Sequence, residues 1–184
     1  MNDLENITSN GKLDHFHNLI KKNPLNLSKQ DMSNYRTLQR RKHVENHAVK
    51  TKGATTDYKG SLEEKVIDTE TILSKNPFNV DAIEHIGREL LKEEKYGMAM
   101  FYLEDALDIL ISRLPYPGIK RSLILLKGER KRIIKTIDSL IKTYKAVGES
   151  DKIDEILSQN AQFYTEKELR ERNPSGSFLF NSAA

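Results

Sequence analysis

Cysteine and tryptophan are absent from this chain of 184 residues, and apolar residues never form a long run. Without cysteine, the protein has no disulfide, no thiolate nucleophile, no iron–sulfur cluster and no zinc site that needs sulfur ligands. A membrane-spanning helix needs roughly 18 consecutive apolar residues, and no window approaches that length. The opening residues, MNDLENITSN, lack the basic and apolar regions of a secretory signal. We therefore expect a soluble, intracellular protein with no membrane span.

Charge is present in quantity, but its two signs are segregated along the chain. The net charge is only +3, yet residues 1–60 and 119–145 carry +5 and +7, whereas residues 61–118 and 146–184 carry −6 and −3. Blocks of opposite sign can pair within one fold or can meet complementary surfaces on partners. The sequence leaves both alternatives open.

No convincing strand pattern occurs, and the breaking residues fall where helices would end. Proline and glycine stop helices, and they occur in KNP (22–24 and 75–77), LPYPG (114–118), AVGES (146–150) and RNPSG (172–176). The N-cap residues predicted at helix starts are Ser61, Asn79, Ser150 and Thr165, and Glu64 and Glu168 complete two capping boxes. These signals predict helices over residues 62–75, 80–93, 97–113, 119–147, 151–162 and 166–172.

The first third of the chain has weaker signals. DHFHNLIKK predicts a short helix and SKQDMSNYRTLQRRKHVENHAV a longer one, both with thin apolar faces, and KTKGATTDYKG is typical of a linker. We interpret residues 1–60 as a basic N-terminal arm with a linker, which packs on the rest of the chain or on a partner. Residues 61–172 form the predicted helical domain, and residues 173–184 a flexible C-terminal tail.

One segment has the pattern of two closely packed helices. Residues 79–111 read NVDAIEHIGRELLKEEKYGMAMFYLEDALDILI, in which small residues recur on facing sides of the two predicted helices. Small residues let two helix backbones approach, while larger neighbours fill the flanking holes. The residues predicted to pack in this way are Ile83, Ile86, Gly87, Leu90, Tyr96, Ala99, Leu103 and Ala106. Their order resembles the tetratricopeptide repeat (TPR), a helix–turn–helix unit of about 34 residues.

Two further segments resemble partial copies of this unit. KVIDTETILSKNPFN resembles the second helix of a preceding repeat, and a third copy follows at a displacement of 54 residues. In that copy, the matching residues are Ile137, Leu140, Tyr144, Gly148, Ile153 and Leu157. The displacement exceeds the repeat period by about 20 residues, which predicts a lengthened first helix in the last unit. The resemblance implies an all-α fold of antiparallel helix hairpins, stacked as a short TPR-like solenoid with an irregular N-terminal extension.

No pattern of residues indicates a catalytic centre or a cofactor. His43 and His47 are four residues apart, a spacing that can hold a metal, but the stretch around them is basic and has no third ligand nearby. Phosphate-binding glycine loops and nucleophile motifs are also lacking in the sequence. We predict a non-catalytic protein with no metal and no cofactor.

Two basic concentrations could bind partners. Arg40, Arg41 and Lys42 lie in the first, over residues 36–42, and the second, over residues 127–135, places Lys127, Arg130, Lys131 and Lys135 on one helical face. Such stripes can neutralise phosphates in a nucleic acid, or can meet an acidic protein surface, including the chain's own residues 61–118. Nucleic acid is therefore the alternative partner.

Two more candidates follow from the resemblance and from the tail. On the face that TPR proteins use to clamp a peptide carboxylate, this chain carries Glu84, Arg88 and Lys92, which does not match that clamp. Glu84, Glu89, Glu93 and Glu94 are expected to form a solvated face. Phe178 and Phe180 in the tail could fold back as a cap or dock into a partner.

Helical repeats bury a continuous core and leave a long face for partners. The predicted function is a protein–protein interaction scaffold or adaptor. It would be a small assembly subunit that links copies of a larger protein or of a multi-subunit complex.

Overall fold

The structure, a computed structural model, describes residues 9–45, 60–114 and 127–172. Those residues form α-helices joined by turns, with no strand among them, which confirms the predicted all-helical class for this part of the chain. The elements are α1 (Ser9–Lys22), α2 (Lys29–Glu45), α3 (Leu62–Lys75), α4 (Val80–Lys92), α5 (Tyr96–Ser112), α6 (Lys127–Val147), α7 (Ser150–Gln159), a 3-10 turn (Ala161–Phe163) and α8 (Glu166–Arg172). No described helix has both the length and the apolar character needed to cross a bilayer.

The chain divides into two compact units, residues 1–109 and 110–184. This division differs from the boundaries predicted after residues 60 and 172. In the first unit, α1 and α2 lie with α3, α4 and most of α5, because the side chains of α2 share a buried polar network with those of α3 and α5.

The core of the first unit includes side chains from the segment predicted to be an arm. Helix α1 contacts both α2 and α3, and α3 contacts α4. Phe16 of α1 and Tyr35 of α2 are both buried, with their ring centroids 5.8 Å apart. Met32 of α2 and Leu73 of α3 are fully buried as well. The short apolar faces of α1 and α2 are thus part of a core within the unit.

The α4–α5 hairpin is closely packed at its small residues. A Cβ atom added at Gly87 would lie 3.0 Å from the Leu103 side chain and 3.3 Å from Cβ of Tyr102. Ala99 and Ala106 on α5 are fully buried. A larger side chain at Gly87 would therefore need the two helices to separate.

Side-chain caps define the starts of α3, α4 and α8. Ser61 and Glu64 form a capping box at α3, and Thr165 and Glu168 form the same arrangement at α8, as predicted. Asn79 Oδ1 accepts from the Ala82 backbone N–H at 3.3 Å, also as predicted. The prediction for α7 was wrong: Ser150 is the first helical residue, and the N-cap, Glu149, makes no side-chain capping bond.

Two hairpin turns share one geometry. The Lys95 N–H donates to the Leu90 carbonyl at 2.9 Å, and the Glu149 N–H donates to the Tyr144 carbonyl at 2.9 Å. The residue before the donor has a positive φ in both turns, 59° at Glu94 and 78° at Gly148. This is the backbone of a helix end closed by a left-handed residue. The two turns are 54 residues apart, the same displacement that relates the predicted copies.

In the second unit, α6 packs against α7 and the 3-10 turn. Ile137 and Leu140 of α6 and Leu157 of α7 are fully buried. Arg130 Nε donates to the Phe163 carbonyl at 2.8 Å, which holds the 3-10 turn to α6. Arg172 of α8 binds Asp138 of α6 with two hydrogen bonds, of 2.6 and 3.0 Å. Helix α8 is therefore fixed to α6 by charged contacts.

Candidate partner-binding surfaces

The most buried charged cluster lies in the first unit and links three helices. Arg36 of α2 donates to Glu70 Oε1 of α3 at 2.9 Å, and the Tyr102 hydroxyl of α5 donates to the same oxygen at 2.7 Å. Arg40 of α2 forms an ion pair with Asp105 of α5, whose second carboxylate oxygen is 4.0 Å from Arg36 Nε. The Arg36 and Glu70 side chains are each only 1 % exposed. No ligand can reach them without unfolding of the unit, so the cluster is structural.

Burial controls the ionisation of this cluster. It raises the pKa of Glu70, and Arg36 and the Tyr102 hydrogen bond oppose that rise. Burial, together with the Glu70 charge, also raises the pKa of Tyr102 well above its ordinary value, so its hydroxyl keeps its proton and can donate. Arg36 and the Tyr102 hydroxyl therefore offset part of the cost of burying the Glu70 carboxylate.

The first predicted basic concentration is partly used by the fold. Arg40 pairs with Asp105, and its guanidinium lies 5.3 Å from the centre of the Phe78 ring. Arg41 and Lys42 are exposed. Only these two of the three predicted binding residues are thus available at the surface of α2.

The predicted surface on α4 is also partly internal. Glu84 is 3 % exposed and accepts from Arg88 at 2.9 Å, so the solvated face predicted for it was wrong. Ala82, Ile83 and Glu84 are consecutive and all buried, so the buried surface of α4 is wider than the apolar face that the sequence predicts. Lys92 is exposed and pairs with Glu89 at 2.5 Å. Hydrogen bonds from Lys92 and Lys65 lower the pKa of Glu89 to about 2.

The second predicted basic concentration, on α6, contains both a residue used in packing and exposed residues. Arg130 binds the Phe163 carbonyl and Glu168, and is thus part of the packing of the second unit. Lys131 and Lys135 are exposed. The side chain of Lys127 lies outside the described residues, as do Phe178 and Phe180.

Sequence reasoning missed two exposed lysines further along the same helix. Lys142 and Lys145 continue the spacing of Lys131 and Lys135 in steps of three and four residues, with Asp138 between them. The signal is their spacing, which continues although the density of basic residues falls after Lys135. We call Lys131, Lys135, Lys142 and Lys145 the lysine stripe.

The residues predicted to pack the repeats lie mostly in the interior. Seven of them are buried and Tyr96 is half-buried, whereas Gly148 is exposed in its turn; the buried ones are Ile83, Gly87, Leu90, Ala99, Leu103, Ala106 and Tyr144. The seven buried residues hold the hairpins together and offer no surface to a partner.

One histidine of the predicted pair lies against an aromatic ring. The His43 ring contacts Phe78 at 5.8 Å between centroids, and His47 lies outside the described residues. No group of three metal-ligating side chains occurs within the described ranges. A pocket of about 410 Å³ lies between the α1–α2 connection and the start of α5, with Leu25, Leu27 and Met98 among its mainly apolar lining.

Comparison of the chain with protein-family models, with curated proteins and with solved structures gives no match.

Proposed function

We propose that this chain is a non-catalytic, TPR-like helical-repeat scaffold that binds a larger protein or a multi-subunit complex as a small assembly subunit. The observation that carries the proposal is the shared hairpin turn. Glu94 and Gly148 occupy the same left-handed position, with the same closing hydrogen bond, at the displacement that the sequence resemblance predicts. Repetition of one helical unit favours a binding scaffold, because such units stack and leave their outer faces for partners.

The distribution of charge supports binding of a protein partner. The pairs Arg36–Glu70, Arg40–Asp105 and Arg130–Glu168 tie helices together within each unit. Arg41 and Lys42 on α2 and the lysine stripe on α6 are exposed and make no ion pair with any residue that the structure describes. The surface therefore carries positive charge that the fold does not need, and charge of this kind steers association with complementary surfaces.

The test is purification of the full-length tagged chain from its native extract, with nuclease present, at low and high salt. We expect one protein or complex to co-purify in a fixed ratio, and the purified components to re-form the complex in size-exclusion chromatography. The matched control is the chain in which Gly87→Val opens the α4–α5 hairpin. Failure of any protein to co-purify in a fixed ratio, with the wild-type chain folded, would contradict the scaffold proposal.

Nucleic-acid binding is the second candidate, and the exposed lysines and arginine favour it. If nucleic acid were the ligand, affinity would fall steeply with salt, because each neutralised phosphate releases counterions. Electrophoretic mobility shifts with duplex and single-stranded RNA at two salt concentrations measure this. Recovery of nucleic acid alone in a parallel purification without nuclease, released by high salt, would favour this candidate over the scaffold.

A further inference from the structure

The lysine stripe runs along one face of α6. Lys131, Lys135, Lys142 and Lys145 follow one another at four, seven and three residues, and Asp138 occupies the place between the two middle lysines. Residues three and four apart are neighbours on a helix surface, so these side chains form a single line. With a rise of 1.5 Å per residue, the line is about 21 Å long. All four lysines are exposed.

The one acidic residue in the line is neutralised within the unit. Asp138 accepts two hydrogen bonds from the Arg172 guanidinium, which also lies 4.8 Å from the centre of the Tyr164 ring. The lysines themselves make no ion pair with any residue in the described ranges. Arg172 of α8 therefore occupies the middle of the line, and two exposed lysines lie on either side of the Arg172–Asp138 pair.

We propose that the lysine stripe is the docking surface for an acidic amphipathic helix of a partner protein. This inference rests on the proposed function and names the chemistry of the partner. The four lysines are spaced about 6, 10.5 and 4.5 Å apart along the helix axis, and a partner helix with carboxylates at the same steps of four, seven and three residues has the same spacings. Two helices lying side by side can therefore match their charges one to one, as flanking charged positions do between paired helices.

Two observations favour an acidic helix over a nucleic acid. Double-stranded nucleic acid has a charge about every 1.7 Å along its axis, which is far denser than the stripe. A single strand would gain from stacking on exposed aromatic rings, but the aromatic side chains described in this unit, Tyr144, Phe163 and Tyr164, are buried. A narrow, sparsely charged cationic line fits a narrow, sparsely charged ligand.

The probe is a synthetic peptide of the same length as α6, 21 residues, with glutamates at spacings of three and four along one face. A second peptide has the same composition with its glutamates distributed around the helix. Titration of the 15N-labelled full-length chain with each peptide reports binding through amide shifts. We expect shifts on α6 with the first peptide, and binding at least about fivefold weaker for the second.

The variant is Lys131→Gln, Lys135→Gln, Lys142→Gln and Lys145→Gln together, which keeps the aliphatic stems and the helix propensity. It should bind the first peptide about tenfold more weakly, as expected for the loss of four exposed ion pairs. The matched control removes the same charge from exposed lysines of the first unit, Lys21, Lys22, Lys75 and Lys95, and should bind as the wild type does.

Three results of the binding experiments would overturn the inference. The two peptides could bind equally well, the two quadruple variants could lose the same affinity, or duplex RNA could displace the peptide and give the larger shifts on α6. The peptide titration decides the docking surface, whereas co-purification decides the proposed function. A scaffold that keeps its partner in the lysine-stripe variant would refute this inference and leave the proposed function intact.

Discussion

At Gly87 the absence of a side chain sets how closely two helices pack. The position lies in the middle of α4, where glycine costs about 1 kcal/mol of helix stability relative to alanine. That cost is offset by contact, because the hydrogen of Gly87 faces Leu103 and the Tyr102 Cβ at distances that no added carbon could keep without a shift. Leu103 and Tyr102 are both fully buried and have little room to move.

We expect Gly87→Val to lower the free energy of unfolding by about 1–3 kcal/mol, because the added methyl groups overpack the hairpin. Gly97→Val is the matched control, since Gly97 is exposed in α5 and an added Cβ would meet nothing within 4 Å. It should change stability by less than about 0.5 kcal/mol. Urea unfolding followed by circular dichroism measures both, and equal effects would show that the hairpin is not tightly packed at Gly87.

The Arg36–Glu70 pair makes a second prediction at the scale of single residues. Arg36→Met leaves the Glu70 carboxylate buried beside Tyr102, which should cost about 3–5 kcal/mol at pH 8. Because Arg36 opposes the rise in the Glu70 pKa, its loss raises that pKa further above the ordinary 4.5. An acid with a raised folded-state pKa is destabilising above that pKa, and the penalty disappears as pH falls below it. The variant should therefore be about 1–2 kcal/mol less impaired at pH 5 than at pH 8.

A double variant separates charge from packing at the same site. Arg36→Met with Glu70→Leu removes both charges, and should regain most of the stability that Arg36→Met loses at pH 8, since the uncompensated carboxylate is gone. Its unfolding free energy should change less between pH 5 and pH 8 than that of Arg36→Met, because the Glu70 carboxyl is absent. A single variant whose loss is the same at both pH values would contradict a buried, ionised Glu70.

At the scale of elements, two turns with the same sequence pattern differ in how they start the next helix. Asn23–Asn26 and Asn76–Asn79 both contain Asn-Pro, and in each the last N–H donates to the first carbonyl, at 3.2 and 3.0 Å. Asn79 then caps α4 with its side chain. Helix α2 begins two residues later in its turn, and Ser28 Oγ accepts from the Asp31 N–H at 3.1 Å instead.

Asn79→Ala should therefore lower stability by about 1 kcal/mol, the usual cost of a lost N-cap. Asn26→Ala, at the same place in the first turn, should lower it by less than about 0.3 kcal/mol, because the exposed Asn26 does not cap α2. Thermal unfolding of the two variants gives the comparison. Similar losses in both would mean that the turn itself, rather than the cap, needs the asparagine.

Capping and turn residues predicted the helix bounds well, because they act on neighbours in the sequence. The basic residues that were wrongly placed make contacts with residues far along the chain. Helix α3 has the predicted bounds, because Ser61 and Asn76 each act through neighbours within four residues. The predicted start of α7 was wrong by one residue. Both Glu149 and Ser150 are compatible with the N-cap position, and the Gly148 turn decides between them. The TPR-like arrangement of the hairpins stays a prediction.

Site residues were harder to predict than helices for the same reason. In the sequence, nothing distinguishes Arg40 and Arg130 from the exposed basic residues beside them. Arg40 binds Asp105 and Arg130 binds Glu168, and both acidic residues are far along the chain. Glu84 reads as a surface residue for a similar reason, yet it is covered in the fold. Only spacing could have identified Lys142 and Lys145, by extending the period of the preceding lysines to the end of the helix.

At the scale of the molecule, the first unit is expected to need α1 and α2. A chain that begins at residue 46 lacks Arg36 and Arg40, so Glu70 and Asp105 lose their cations while the apolar surface under Tyr35 is exposed. We expect circular dichroism to show a loss of more helix than the two deleted helices contain. A shortened chain with the remaining helices intact would support the predicted boundary after residue 60.

The buried Arg36–Glu70 pair has an evolutionary consequence. Either charge alone is costly in that interior, so a single substitution at one position should be purged unless the other changes with it. Descendants of a common ancestor should therefore keep both charges, exchange them, or lose both together. The positions are 34 residues apart, and Arg40 and Asp105 add a second pair 65 residues apart. These two linked pairs form a signature by which distant relatives could be recognised after overall sequence similarity has disappeared.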